Sequence, residues 1–420
     1  MKKKVVLAFS GGLDTSFCAV YLSKDRDLEV HALLVDTGGF SPVEIEETGR
    51  RALALGAATF TCKDVTLKYY NDCLRYLVYG NVLKNNTYPL SVSAERVFQA
   101  TAVAEFANEL GADFIAHGST GAGNDQVRFD MVFNILCPGK GIITPIRDLK
   151  LSREAEIEYL AEKGFPVNFQ KAAYSINKGL WGTSVGGKET LNSKGTLPEQ
   201  AWPTQVTKTE SEDVSLEFVR GELTAVNGVS FVNPVEAIRQ VTALAAPFGI
   251  GRDIHVGDTI IGIKGRVGFE ASGPVLIIKA HHLLEKHTLT KWQLSWKDQL
   301  ASFYGNYLHE GQFHDPVMRN MEKFMADTQQ AVNGTVFIRL HAYRYELLGI
   351  ESPNDLMQSA FGTYGEMNNA WSGEDVKGFS KIAGNQVMIH RQVNAAATQP
   401  AHPADAARPA ADAAKLSTHE

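Results

Sequence analysis

No run of apolar residues in this chain approaches the ~20 needed to cross a bilayer. The apolar stretch after the basic start Met1-Lys2-Lys3-Lys4 runs only from Val5 to Phe9 before it meets Ser10-Gly11-Gly12. A membrane span and a secretory signal are therefore not expected, and the cytoplasm is the expected location. Cysteine is scarce: Cys18, Cys62, Cys73 and Cys137 form no Cys-x-x-Cys pair and have no histidine pair at zinc-ligand spacing. Neither a disulfide framework nor a metal site is expected, and the thiols read as reduced and mostly buried. Positive charge is not in excess, with 41 Lys+Arg against 47 Asp+Glu and a net charge of −6. No global field draws the chain onto nucleic acid or an anionic membrane, so small-molecule partners are expected. No internal repeat of solenoid length is visible.

What is present is an ordinary globular composition, 44% hydrophobic and 21% charged, over 420 residues. That length exceeds what one core usually supports, so two domains with accessory segments are expected. Short strands at Lys4 to Phe9, Glu29 to Val35, Thr59 to Val65 and Asp113 to His117 alternate with helical spacing at 43–55, 67–83, 94–110 and 153–163. This alternation predicts an α/β fold with a parallel sheet and helices on both faces. In such sheets ligands bind beyond the carboxyl ends of the strands, where the glycine-bearing loops after Phe9, Val35 and His117 all fall. Past Gly164 the pattern turns to Gly-Gly pairs and short strands at 215–219, 221–226 and 275–279, with helical spacing at 292–308 and 316–332 and a hairpin over 335–347. An α+β second domain is expected there. The boundaries read as 1–166, 167–360, a C-terminal segment 361–393, and an Ala/Pro-rich tail 394–420 whose composition predicts disorder.

Two stretches carry chemistry. Ser10-Gly11-Gly12-Leu13-Asp14-Thr15-Ser16 lies between a strand and a helix, where backbone N–H groups and the helix N-terminus converge on an anion-sized space. No Gly-Lys-Ser/Thr follows, so it is not a Walker A loop. A plainer reading has Asp14, Thr15 or Ser16 merely capping the helix. The second stretch, His117 to Phe129, packs Gly118, Gly121, Gly123, Ser119, Thr120, Asn124, Asp125 and Arg128 into a dozen residues. That density suits a small zwitterion: hydroxyls and N–H groups for carboxylates, Asp125 for an ammonium and Arg128 for a second carboxylate.

The first loop resembles the PP-loop of the ATP pyrophosphatases, which holds the pyrophosphate that leaves as a substrate is adenylated. With both stretches together the chain resembles the argininosuccinate synthase family, with landmarks in the same order from Val5 to about Gly384. The resemblance implies an adenine nucleotide α-hydrolase-like PP-loop domain followed by a synthetase domain, a ligase that joins citrulline to aspartate through a citrullyl-adenylate, Mg2+ accompanying the ATP, and a homotetramer. It assigns Ala8, Phe9, Ser10, Gly11, Gly12, Leu13, Asp14, Thr15 and Ser16 to ATP, with Val35 and Gly118 beside the adenosine and Ser10 and Asp14 nearest the chemistry. It assigns Thr120, Asn124 and Asp125 to aspartate, and Tyr88, Ser93, Asn124, Arg128, Ser175 and Ser184 to citrulline. Each has a plainer role open to it: Ser93 as a helix cap, Tyr88 as a turn anchor before Pro89, the serine pair as loop hydroxyls.

The match fails at two positions. Gly257 stands where the family's glutamate binds citrulline, and Phe269 where its tyrosine does, although Asp258 or His255 lies close enough in sequence to reach the same space. The missing carboxylate suggests a site open to a citrulline whose α-amino group is masked, because burying a neutral amide there loses no ionic partner. His281, His282 and His287 near Glu285 read as solvated or packed rather than metal-binding, and the Trp292, Trp296, Leu300 stripe reads as core packing. Two other readings stand beside the family one. A tRNA-modifying PP-loop ligase would want a catalytic cysteine pair and a basic face, and a nucleotide sensor would bind ATP without splitting it.

Overall fold

The computed structural model describes residues 2–165, 174–366 and 370–395. The expected boundary at 166/167 and the tail from residue 396 onward lie outside the described residues. The chain divides into two units, Met1–Leu356 and Met357–Glu420.

The first unit begins with five strands, β1 (Lys4–Ala8), β2 (Glu29–Asp36), β3 (Thr59–Asp64), β4 (Phe114–Ala116) and β5 (Gly141–Ile143). They form one parallel sheet in the order β3-β2-β1-β4-β5. β2 is buried along nearly its whole length, as a parallel strand covered on both faces must be. One face packs Val5, Leu7, Val30 and Ala32 against Phe17 and Val20 of the Leu13–Val20 helix, Ala52 of the Pro42–Ala54 helix and Leu160 of the Arg153–Glu162 helix. The other packs Val6, Leu33, Val35 and Ile115 against Val97, Ala100 and Ala104 of the Ser91–Glu109 helix. Strand order reverses at β1, whose neighbours are β2 and β4, so the loops leaving β1 and β4 part to opposite faces and open a crevice between them.

The second half of this unit adds β6 (Ser175–Gly179), β7 (Gly182–Gly186), β8 (Glu212–Val219), β9 (Glu222–Val226), β10 (Val229–Ser230), β11 (Arg252–Asp258), β12 (Lys264–Glu270), β13 (Gly334–His341) and β14 (Arg344–Glu351). They make two antiparallel sheets, β10-β9-β8-β13-β14 and β11-β12-β7-β6. The expected strands at 215–219 and 221–226 and the hairpin over 335–347 are present as β8, β9 and β13–β14.

Several expectations are corrected. Val275 to Lys279 is not a strand but part of the Ser272–Thr288 helix, whose Leu276, Ile277, Ile278, Ala280 and Leu284 are all buried. A helix surrounded by core on several sides carries an apolar run with no clean amphipathic period, which a strand imitates. The helix expected over 67–83 spans Thr66 to Tyr79 with a π-helical turn, Tyr70–Leu74, in its middle, and stops at Gly80. The Trp292 and Trp296 side chains, expected in the core, are 66% and 58% exposed. The buried face of their helix, Lys291–His309, consists instead of Lys297, Ala301, Tyr304, Gly305, Leu308 and His309. Lys297 is admitted to that face because its ammonium meets the equally buried Glu285 carboxylate at 2.9 Å.

The second unit contains the Gly373–Ala383 helix, started by a Ser372–Asp375 capping box, and the Asn385–Asn394 helix. Val376, Phe379, Ile382, Val387, Ile389 and Val393 are exposed on them.

Candidate active site

The loop after β1 is shaped by its backbone. Phe9 N–H donates to the Leu33 carbonyl, which ties the strand end to β2, and Gly11 then takes φ +76°. The Arg51 guanidinium donates to the Gly11 carbonyl at 2.6 Å. A Cβ at Gly11 would lie 3.2 Å from Thr48 Cγ2, so the turn needs glycine both for its angle and for its fit. Gly12 occupies the cap position of the Leu13–Val20 helix in extended conformation, and no side chain caps that helix. The plainer capping role is thereby ruled out for Asp14, Thr15 and Ser16: Thr15 Oγ1 turns back to Ser10 and the Gly12 carbonyl, and the buried Ser16 Oγ has no partner. An uncapped helix start with a glycine turn before it is an anion seat. Ala8 ends β1, Val35 is buried in β2, and Leu13 anchors the helix to the core.

Gly118 brings the second stretch against the first. A Cβ there would lie 3.2 Å from the Asp14 backbone and 3.3 Å from Thr15 Cγ2. The expected loop ends at Asn124, and residues 125–136 form a helix that carries Asp125 and Arg128 one turn apart. Thr120 is exposed on the loop. The Asn124 side chain accepts a hydrogen bond from Ile260 N at 2.8 Å, joining this stretch to the turn between β11 and β12.

Four of the residues assigned to the two amino acids, Ser93, Asp125, Arg128 and Ser184, lie on one hydrogen-bonded chain. Ser184 Oγ accepts from Asn177 Nδ2 at 3.3 Å, and Asn177 Oδ1 accepts from Arg96 at 2.9 Å. Arg96 Nε meets Asp125 at 3.0 Å, Asp125 meets Arg128 at 3.1 Å, and Arg128 donates to Ser93 Oγ at 3.1 Å. Burial opposes ionisation of Asp125, but Arg96 and Arg128 outweigh it and hold its carboxyl below the usual carboxylate range. Arg128, itself buried, also forks onto the His309 carbonyl at 3.0 and 2.8 Å. His309 Nδ1 meets Ser93 Oγ at 3.0 Å, and burial, with Arg128 and Lys84 nearby, pushes the imidazole down to about 3, so it is neutral at working pH. Ser93 is inside its helix, not at the cap, where Leu90 stands in left-handed conformation. Ser175 pairs with Gly186, two residues from Ser184, so the two serines project from the same face of the hairpin, Ser184 buried and Ser175 exposed.

Tyr88 keeps its anchoring role as well: its hydroxyl accepts from Val92 N and Ser91 Oγ at the start of the Ser91–Glu109 helix. Its ring lies between His255, 5.0 Å away and stacked, and Phe269 at 5.3 Å. Phe269 sits opposite Ser184 across the β12–β7 ladder. His255 accounts for Gly257: a Cβ at 257 would lie 2.5 Å from His255 Nε2, so the imidazole fills the volume a larger side chain would need. Burial, then the Lys84 charge, lowers the His255 pKa, and its buried Nδ1 has no partner.

Four residues of this network were not anticipated. Arg96 stands three positions beyond Ser93 on a helix and Asn177 two beyond Ser175 on a strand, spacings that share a face and would have flagged both. Glu95, buried and accepting from Thr37 and Gln99, has its pKa raised by burial. His309 offered no local signal. It also borders a cavity of about 470 Å³ lined by Lys84, Asp258, Ile260, Asn306 and Glu310.

Family comparison covers both halves of the chain. Residues 4–166 match the model of the arginosuccinate synthase N-terminal HUP domain, and residues 174–390 that of the arginosuccinate synthase C-terminal domain. The chain belongs to the argininosuccinate synthase family. It is 36% identical over 404 residues to the argininosuccinate synthase of Xanthomonas campestris pv. campestris, covering 93% of this chain and 99% of that protein. Against the argininosuccinate synthase of Methanocaldococcus jannaschii it is 36% identical over 393 residues, 93% and 98% of the two chains. The Dictyoglomus thermophilum argininosuccinate synthase is 34% identical over 391 residues, again 93% and 98%. The argininosuccinate synthase family consists of ATP-using ligases that form a C–N bond, and the PP-loop belongs to its HUP domain. Neither the RNA-modifying nor the sensor reading is favoured by matches that cover both halves. The thiols at 18, 62, 73 and 137 are free, three of them buried. His281 is packed in the core between Asn81 and Gln329, and His287 meets Asp355.

Proposed function

We propose that this chain joins citrulline to aspartate at the expense of ATP. The observation that carries the reading is the unbroken hydrogen-bonded chain from Ser184 through Asn177, Arg96, Asp125 and Arg128 to Ser93, because it joins Asp125, assigned to aspartate, to Ser93, Arg128 and Ser184, assigned to citrulline. The citrulline ureido oxygen attacks the α-phosphorus of ATP and pyrophosphate leaves. The neutral α-amino group of aspartate then attacks the activated carbon, AMP leaves, and the nitrogen gives up a proton. A urea oxygen is a weak nucleophile, so holding it in line supplies part of the ~7 to 11 kcal/mol that orientation contributes. The loop Ser10 to Ser16 meets the charge developing on pyrophosphate with its N–H groups, with Asp14 and Ser10 nearest the reacting phosphate.

In this reading residues 1–166 hold ATP, with Val35 and Gly118 at the adenosine. Residues 167–360 complete the amino-acid site. Thr120, Asn124 and Asp125 take aspartate, while Tyr88, Ser93, Asn124, Arg128, Ser175 and Ser184 take citrulline. Mg2+ accompanies the nucleotide in this reading. Its chemistry is to neutralise the phosphate oxygens. Residues 361–393 make contacts in a homotetramer, a role supported by the exposed Phe379, Ile382 and Ile389 and by the exposed Trp292 and Trp296. The four free thiols suit a reducing cytoplasm, and no described helix is long and apolar enough to cross a membrane.

The test is pyrophosphate release from ATP with citrulline and aspartate added singly and together. Release that needs citrulline supports the reading; none with both present sinks it. His255, not a carboxylate, fills the space beside Gly257, so the same assay with N-acylated citrullines measures whether a masked amine is preferred. Clear preference for free citrulline removes that refinement alone.

A further inference from the structure

The Arg153–Glu162 helix packs on the Leu13–Val20 helix and buries a glutamate there: Glu156 is 2% exposed. Its carboxyl is within hydrogen-bonding reach of the Asp14 carboxyl, and its Oε2 atom is buried without a partner. Glu156 is not a cap, since Ser152 caps its helix by accepting from Ala155 N. No cation neutralises it from the facing helix. The groups that face it are Asp14 and the buried Cys18 thiol, and on its own helix Arg153. Two carboxyl groups in hydrogen-bonding contact cannot both be ionised without strong repulsion, and a shared proton resolves the conflict. Asp14 stands in the first turn of the helix whose N-terminus follows the glycine turn.

We propose that Glu156 is a positioning residue for the phosphate loop: it keeps one proton between its carboxyl and that of Asp14, which fixes the Asp14 rotamer and leaves the pair one negative charge instead of two. The inference rests on the reading that this loop holds the phosphates of ATP. The charge saved is the point, because a second uncompensated carboxylate beside a triphosphate opposes binding, while a protonated glutamate orients Asp14 at no cost in charge. Burial, reinforced by Asp14, raises the Glu156 pKa to about 8, so the proton is held at neutral pH and released just above it. Below that pH the pair is locked; above it, the loop faces the nucleotide with an extra charge.

The experiment measures the KM for ATP in citrulline-dependent pyrophosphate release on both sides of about pH 8, for the wild type and Glu156→Gln. In the wild type the KM should rise above that point, by at most about tenfold per pH unit. In Glu156→Gln, whose amide donates the same hydrogen bond and cannot ionise, the KM should stay flat while kcat remains within about threefold. An alkaline limb of the same slope in both proteins overturns the proposal. A second readout needs no turnover: the infrared difference between wild type and Glu156→Gln should contain a protonated carboxyl at neutral pH that vanishes as pH passes about 8. Its absence is equally fatal. If Glu156→Gln fails to fold, Asp14→Asn serves, since losing the neighbouring charge must move that carboxyl's titration downward, and an unmoved titration refutes the sharing. A wild type that makes no citrulline-dependent pyrophosphate refutes the functional reading instead, while the infrared arm still decides where the proton is.

Discussion

Arg128→Lys is the sharpest test of the amino-acid site. Arg128 is 2% exposed and spends its fork on four acceptor contacts: Asp125 at 3.1 Å, Ser93 Oγ at 3.1 Å, and the His309 carbonyl at 3.0 and 2.8 Å. Lysine keeps the charge but presents one compact ammonium, which cannot span the Asp125 carboxylate and the His309 carbonyl together. About two charge-assisted bonds are lost, each worth roughly 1.5 to 3 kcal/mol, and a retained charge and entering water return part of that. These bonds brace the free enzyme, so a net loss of about 3 kcal/mol is read first in stability, and kcat/KM for citrulline falls as Asp125 and Ser93 lose the group that positions them. The assay is steady-state pyrophosphate release at saturating ATP and aspartate with citrulline varied, alongside a melting curve to show that the variant is folded. No residue of the loop Ser10 to Ser16 bonds to Arg128, so the KM for ATP should stay within about threefold. A folded Arg128→Lys whose citrulline kcat/KM falls less than about tenfold, or whose ATP and citrulline KM values rise together, refutes the reasoning.

The remaining predictions concern neighbouring parts of the same network. Gly257→Glu alone should lower melting temperature and activity, because its Cβ meets His255 Nε2 at 2.5 Å, whereas His255→Ala with Gly257→Glu should recover both; equal losses in single and double variants contradict the shared-volume account. Asp14→Asn should impair citrulline-dependent exchange of pyrophosphate into ATP, while Asp125→Ala should chiefly raise the aspartate KM. Because Asp125 also neutralises Arg96 and Arg128, a smaller rise in the citrulline KM should accompany it, and identical loss of exchange in both variants would contradict the division. His309 is held neutral down to about 3, well below an unfolded imidazole at ~6.5. Its contribution is therefore complete above ~6.5 and is lost as pH falls from there towards about 3, by up to about 4 kcal/mol. His309→Asn should show a shallower acid loss of stability in urea denaturation over that window, and an unchanged slope would exclude His309 as its source.

The nucleotide half was legible because its signals are local. Strand, glycine turn and helix follow one another within the first 20 residues, and the buried run of β2 reads directly as a parallel strand. The amino-acid half depends on contacts between distant segments. Arg96 meets Asn177 across 81 positions, and Arg128 meets His309 across 181, distances over which no periodicity operates. Where local pattern misled, the cause was burial. Val275 to Lys279 imitates a strand because its helix is covered on several sides. On the Lys291–His309 helix a four-residue period of tryptophan identified one face but not the one turned inward; the inward face includes Lys297, kept there by Glu285. Departures at Gly257 and Phe269 were visible in the sequence, but that His255 occupies the space beside Gly257 was not.

That shared space has a historical side. A glycine and an imidazole two residues apart on β11 occupy one volume, so neither position is free to change by itself. Enlarging residue 257 while His255 remains collides with the ring. Shrinking residue 255 while Gly257 remains leaves a hole against the Tyr88 ring. Packing thus couples the two positions, so a glutamate-bearing arrangement is reached by changing residues 255 and 257 together rather than one at a time.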